Sequence, residues 1–369
     1  MTLLLAEALV LAWLGALAAT ALLQQAAGTR IAPAARDEWV TRRLAQAGIV
    51  VFLAAMAARS LDFGVDTAVY AGFFAEHCQY GPHRGIELSY SLSAAWLDAG
   101  MLGACSVPLL PATWAGLIVL ALLLVQPALA DATERARLRL RLAALLLFSM
   151  VGIELATNAL RQGLSAATLL LAVSLWPRRA WLALPLAALA AGFHSSAVLV
   201  IGALVLARLG WPAFLATYGL LLALVWRAMH ARVEPPWLEP LLFELQKYLA
   251  HADDELWVRV LSAAALFGTL LAAAWAASPA QRRSLRREAA HGMAWRLAFT
   301  CLPLLAVPYF GYRYVYGLYP VVLLFVLLAA ARCGVDPARL FWRIAAVNSA
   351  VLAAWSLGSV SMLEVPFLG

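Results

Sequence analysis

The chain has 369 residues, 64% of them hydrophobic and 13% charged, with a formal net charge of +7 and a mean hydropathy of +0.83. A soluble domain carries about half apolar and about a quarter charged residues, so this composition excludes an ordinary cytosolic globule. The bases are arginines spaced between apolar stretches, with Lys247 the only lysine, a pattern of membrane anchoring and not of nucleic-acid binding.

In chain order, Met1–Leu23 is an apolar stretch without a basic leader and reads as a retained span with its start outside. Arg30, Arg36, Arg42 and Arg43 then mark a cytoplasmic turn, and Ala45–Ala58 returns outward to Arg59. Residues 60–105 carry Asp62, Asp66, Glu76, His77, His83, Arg84, Glu87 and Asp98, and are expected to form a periplasmic loop with interfacial helices. Val107–Ala130 leads inward to Arg135, Arg137, Arg139 and Arg141. Leu142–Trp176 has room for two short spans whose outward turn falls near Asn158–Gly163.

Ala180–Ala207 lies between basic residues and is short for two spans. One span there would put Arg282, Arg283, Arg286 and Arg287 outside, so two short or re-entrant helices meeting near Phe193–His194 are expected. Trp211–Trp226 leads to a second periplasmic loop, residues 229–257, and Val258–Ala277 returns to the Arg282–Arg287 cluster. Trp295–Pro308, Gly317–Ala331 and Ile344–Val360 complete the pattern. The expectation is one polytopic domain over residues 1–369, an all-α integral membrane protein of about 12 transmembrane or re-entrant helices.

Four polar islands fall on the outer side of this map. The first runs from Arg59 through Asp66 to Tyr70, with Glu87 beyond it. In the second, Glu154, Asn158 and Arg161 share one helical face and Gln162 follows. A charge near the bilayer centre costs roughly 2.5–3.5 kcal/mol, so these residues form either a self-neutralising pair or the wall of a watered site. The third is Phe193-His194-Ser195-Ser196, where the imidazole is a candidate base and the serines read as helix caps. The fourth holds Tyr309, Tyr312, Arg313, Tyr314 and Tyr316; an interfacial belt accounts for the tyrosines but not for the arginine. Outward Arg59, Arg84, Arg161 and Arg313 point to an anionic ligand.

Arg59, Phe63-Gly64-x-Asp66-x-x-x-Tyr70, Glu87, Leu160-Arg161-Gln162-Gly163-Leu164-Ser165, Phe193-His194-Ser195-Ser196-Ala197 and Arg313-Tyr314 occur in that order. Together they resemble the EpsG-type family of Wzy-like polymerases of exopolysaccharide and O-antigen repeat units. The resemblance implies a GT-C-like glycosyltransferase in the bacterial inner membrane, with its site facing the periplasm. Its substrates would be oligosaccharides on undecaprenyl pyrophosphate, and its partners membrane lipids and co-polymerase or export proteins. On this reading Arg161 and Arg313, then Arg59 and Arg84, stabilise the diphosphate leaving group, while His194 and Asp66 compete as base beside Glu154. Gln162, Asn158, Tyr314, Tyr70 and Glu87 would contact substrate, with Trp96, Trp237 and Tyr248 as sugar platforms. No Asp-x-Asp metal site stands out on an outer loop, so no cofactor is expected. An O-antigen ligase, an O-acyltransferase and a flippase or transporter remain as alternatives; Cys78 and Cys105 would both be external.

Overall fold

The computed structural model describes residues 33–58, 110–157, 159–230, 256–303 and 310–363, with the isolated positions 72 and 75. Among the described residues every regular element is a helix. In chain order these are α1 (Pro33–Ala58), α2 (Leu110–Leu124), α3 (Ala132–Leu147), α4 (Met150–Thr157), α5 (Leu160–Leu175), α6 (Ala180–Phe193), α7 (Ser196–Leu206), α8 (Trp211–His230), α9 (Leu256–Ala276), α10 (Pro279–Arg287), α11 (Ala289–Cys301), α12 (Phe310–Arg332) and α13 (Pro337–Leu363).

The helix ends follow local chemistry. Asp131 accepts the Glu134 backbone N–H at 2.7 Å and caps α3, while Ser278 and Gln281 form a reciprocal capping box ahead of Pro279 in α10. Gly334, at φ 66°, closes α12, and the Val335 N–H reaches back to the Ala330 carbonyl at 2.9 Å. Asp336 then caps α13 through the Ala338 and Arg339 amides.

The expected dozen spans are corrected. Among the described residues three helical segments are long and apolar enough to cross a membrane: Trp39–Met56, Leu256–Ala276 and Tyr312–Arg332. A fourth is added if α3 and α4, bent by 75°, count as one broken span. Helices α2, α5, α6 and α7 are apolar but shorter than a span. At about 1.5 Å per residue, a helix such as α5 or α6 reaches roughly 20–24 Å, short of a hydrocarbon core of about 30 Å. Among the described residues there is also no sheet from which a GT-C-like architecture could build a second layer. The few long apolar helices are consistent with association with a membrane.

Helix α12 is the central post. It packs on α3, α4, α5, α7, α9, α11 and α13, and most of its length is buried. Polar side chains tie it to its neighbours inside the apolar core. The Tyr319 hydroxyl donates to Asn348 Oδ1 at 2.8 Å, and Asn348 Nδ2 donates to the Leu145 carbonyl at 2.8 Å, joining α12, α13 and α3. A buried amide satisfied on both sides in this way favours one packing arrangement over alternatives.

The bases gather at one end. Arg135 and Arg178 both donate to the Leu129 carbonyl at 2.7 Å, and Arg332 reaches the Ala128 carbonyl while pairing with Glu288 at 2.9 Å. Gln281 of α10 donates to the Gly334 carbonyl at the same end. Arg313 lies near the opposite end of α12, 19 residues before Arg332, or roughly 28 Å along the helix axis.

Two breaks position the residues discussed below. Ser149 donates to the Leu146 carbonyl and accepts from the Gly152 amide, stabilising the bend between α3 and α4. Between α4 and α5 the Ala159 amide returns to the Glu154 carbonyl at 2.8 Å, and α5 restarts against α4. A Cβ on Gly163 would stand 2.2 Å from the Leu155 carbonyl oxygen, so only glycine permits this approach. Gly163→Ala is therefore expected to lower the thermal midpoint by several degrees or abolish folding. Gly219→Ala, in open space within α8, should be neutral or stabilising by about 0.5–1 kcal/mol. Thermal unfolding of the two purified variants checks the contrast.

Candidate functional site

The end of α12 remote from the basic cluster brings three of the four islands together. Gln162, in the first turn of α5, donates through Nε2 to the backbone carbonyl of Arg313 in α12. Its Oε1 is buried and has no hydrogen-bond partner. Gly317, one turn after Arg313, makes room for the junction: a Cβ there would meet Val200 at 3.3 Å, Gln162 Nε2 at 3.8 Å and Ser196 Oγ at 3.9 Å. Helices α5, α7 and α12 thus converge on one small-residue position.

His194 separates α6 from α7. Its Nδ1 lies 2.7 Å from Ser196 Oγ and accepts the Ser196 backbone N–H at 3.2 Å. A ring nitrogen that accepts a backbone N–H carries no proton, so the neutral imidazole holds its hydrogen on Nε2. Ser195 occupies the N-cap position of α7, yet its side chain makes no capping bond, and the cap is supplied by the histidine. Burial, with the nearby guanidinium groups of Arg161 and Arg313, lowers the His194 pKa from 6.5 to about 3. His194 is consequently a neutral donor near two permanent cations, Arg161 and Arg313.

The other expected residues are placed as follows. Glu154 is buried, and its charge, like that of Arg313, bears on the Tyr316 hydroxyl within α12. Tyr314 is directed elsewhere: its hydroxyl hydrogen-bonds Thr300 Oγ1 at 2.7 Å, in the interface between α11 and α12. Tyr312, Tyr314 and Tyr316 are all buried, so these three line the interior and form no interfacial belt. Arg59, Asp66, Tyr70, Arg84, Glu87 and Asn158 lie outside the described residues, as do Trp96, Trp237, Tyr248, Cys78, Cys105 and Tyr309. Most of the 60–105 and 229–257 segments and all of Met1–Leu23 are likewise outside them.

Gly317 and the pairing of Ser196 with His194 were not anticipated. Gly317 follows Arg313 by four residues and so shares its helical face, a signal available in the sequence. Among the described residues no three His, Cys, Asp or Glu side chains form a group that could hold a metal ion. Comparison of the chain with protein-family models, curated proteins and solved structures finds no match in any of the three.

The position of the imidazole gives a stability test. A histidine whose pKa is lower in the folded state than in the unfolded one costs stability as pH falls, because the unfolded chain binds the proton first. The loss begins near the unfolded value of about 6.5 and is complete near the folded value of about 3. His194→Asn removes this contribution. The drop in thermal midpoint between pH 7 and pH 4.5 should therefore be smaller in the variant than in the wild type, as measured by circular dichroism.

Proposed function

We propose that the chain is a membrane-bound glycosyltransferase of the polymerase kind. It would extend exopolysaccharide or O-antigen chains by transferring a glycan from undecaprenyl pyrophosphate to a sugar hydroxyl of a second lipid-linked repeat unit. The observation that carries this reading is the convergence of Arg161, Arg313 and the Nε2–H donor of His194, contributed by three separate helical segments. It lies at the end of α12 opposite the arginines that cluster on the 128–130 carbonyls. By the positive-inside rule the clustered end faces the cytoplasm, which puts the anion-binding end toward the periplasm of an inner membrane.

The chemistry follows from the charges. The acceptor oxygen attacks the anomeric carbon, the carbon–oxygen bond to the diphosphate breaks, and the electron pair leaves with the lipid diphosphate. Arg161 and Arg313 stabilise the charge that develops there, and the neutral imidazole donates a further hydrogen bond. Because Nε2 already holds its proton, the proton of the acceptor hydroxyl falls to a carboxylate, Asp66 or Glu154. The partnerless Oε1 of Gln162 is available to accept from a sugar hydroxyl.

Polymer synthesis in cells lacking their own copy tests the proposal. Arg161→Gln and Arg313→Gln should each cut polymer yield by about 10²-fold or more and leave unextended lipid-linked repeat units. Arg287→Gln, an exposed arginine of α10, should leave yield unchanged. Normal polymer from both site variants would overturn the assignment.

A further inference from the structure

A second site lies between α1, α2 and α3. A cavity of about 530 Å³ is lined by Arg42 of α1 and by Arg137, Arg139 and Arg141 of α3, with the hydroxyl-bearing Thr41 and Thr133 beside them. Arg137 and Arg141 also border a neighbouring cavity of about 220 Å³. Arg139 is steadied by donating to the Leu123 carbonyl at the last turn of α2, at 3.1 Å. Like charges one helical turn apart, as at Arg137 and Arg141, are unfavourable by themselves, and Glu134 borders the smaller cavity with them. Four arginines around one cavity attract an oxyanion, whose several acceptor oxygens match the planar fork of a guanidinium.

The surface leading away from the cavity is apolar. Val50 follows Gln46, a cavity residue, by one turn on the same face of α1 and is 66% exposed. Leu120 precedes the cavity residue Leu123 by one turn on α2 and is 52% exposed. Polar and apolar surfaces are thus arranged in the order that a phospholipid presents them, headgroup then chains. A soluble phosphate would use the arginines and leave the apolar faces bare.

We propose that this cavity binds the phosphate of an anionic phospholipid whose acyl chains lie over Val50 and Leu120. The inference does not rest on the polymerase reading, and its test needs no activity. Native mass spectrometry of the full-length chain, offered equal amounts of phosphatidylglycerol and phosphatidylcholine, reads the preference directly. Wild type should retain phosphatidylglycerol, and Arg42→Gln, a change at an exposed residue that folding tolerates, should reduce the preference roughly fivefold or more. Arg43→Gln is the control, because its guanidinium stacks on Trp39 at 5.8 Å and is outside the cavity lining. A third arm titrates the lipid-free protein with inorganic pyrophosphate and follows its thermal midpoint. Equal losses in the Arg42 and Arg43 variants would reduce the effect to net charge and overturn the site. Retention of the lipid by Arg42→Gln and Arg42→Gln/Arg137→Gln, both shown to be folded, would overturn it as well. Stabilisation by pyrophosphate without any lipid preference would replace the lipid by a soluble phosphate ligand.

Discussion

Enclosure of α12 by seven other helices is the constraint on which the rest of the structure depends. An apolar helix surrounded by apolar helices gains nothing from the hydrophobic effect where lipid is the alternative neighbour, so close packing and interhelical hydrogen bonds must fix its position. Gly317 supplies the close packing. Gln162 donating to the Arg313 carbonyl, and Tyr319 donating to Asn348, supply the hydrogen bonds. These contacts occur at different depths along α12 and leave it one register against its neighbours.

That register determines what the two ends carry. At one end the 128–130 carbonyls gather Arg135, Arg178 and Arg332, and at the other Arg161 and Arg313 stand beside a neutral histidine. The two sets of arginines differ in surroundings as well as in place. Those at the clustered end spend their donors on backbone carbonyls or on Glu288. Those near His194 add to the effect of burial in keeping its imidazole neutral, and buried Glu154 acts on the same Tyr316 hydroxyl as Arg313.

Much of this was legible in residue order, and some was not for definite reasons. The break near Asn158 and the meeting of two short helices at His194 followed from counting apolar stretches against basic flanks. The gathering of Arg135, Arg178 and Arg332 followed from the same parity. The number of spans did not, because hydropathy cannot separate an apolar helix facing lipid from one buried in protein. Helix α5 illustrates this: it is apolar, 16 residues long and mostly buried. The 75° bend after α3 is not legible in residue order, since it depends on the hydrogen bonds of Ser149 to the Leu146 carbonyl and the Gly152 amide. The resemblance implies substrate contact for Tyr314; adjacent residues on a helix point about 100° apart, and its hydroxyl meets Thr300, a contact that belongs to tertiary structure. The bond from Gln162 to the Arg313 carbonyl links residues 151 positions apart and belongs to tertiary structure alone.

The central claim is that α12 carries the anion-binding end and the basic end to opposite faces of a membrane. Single cysteines at Ser195, exposed beside His194, and at Asp336, exposed just beyond Arg332, test it in a background without other cysteines. Labelling sealed, oriented vesicles with a membrane-impermeant thiol reagent should modify the two positions from opposite sides. Modification of both from the same side would contradict the account.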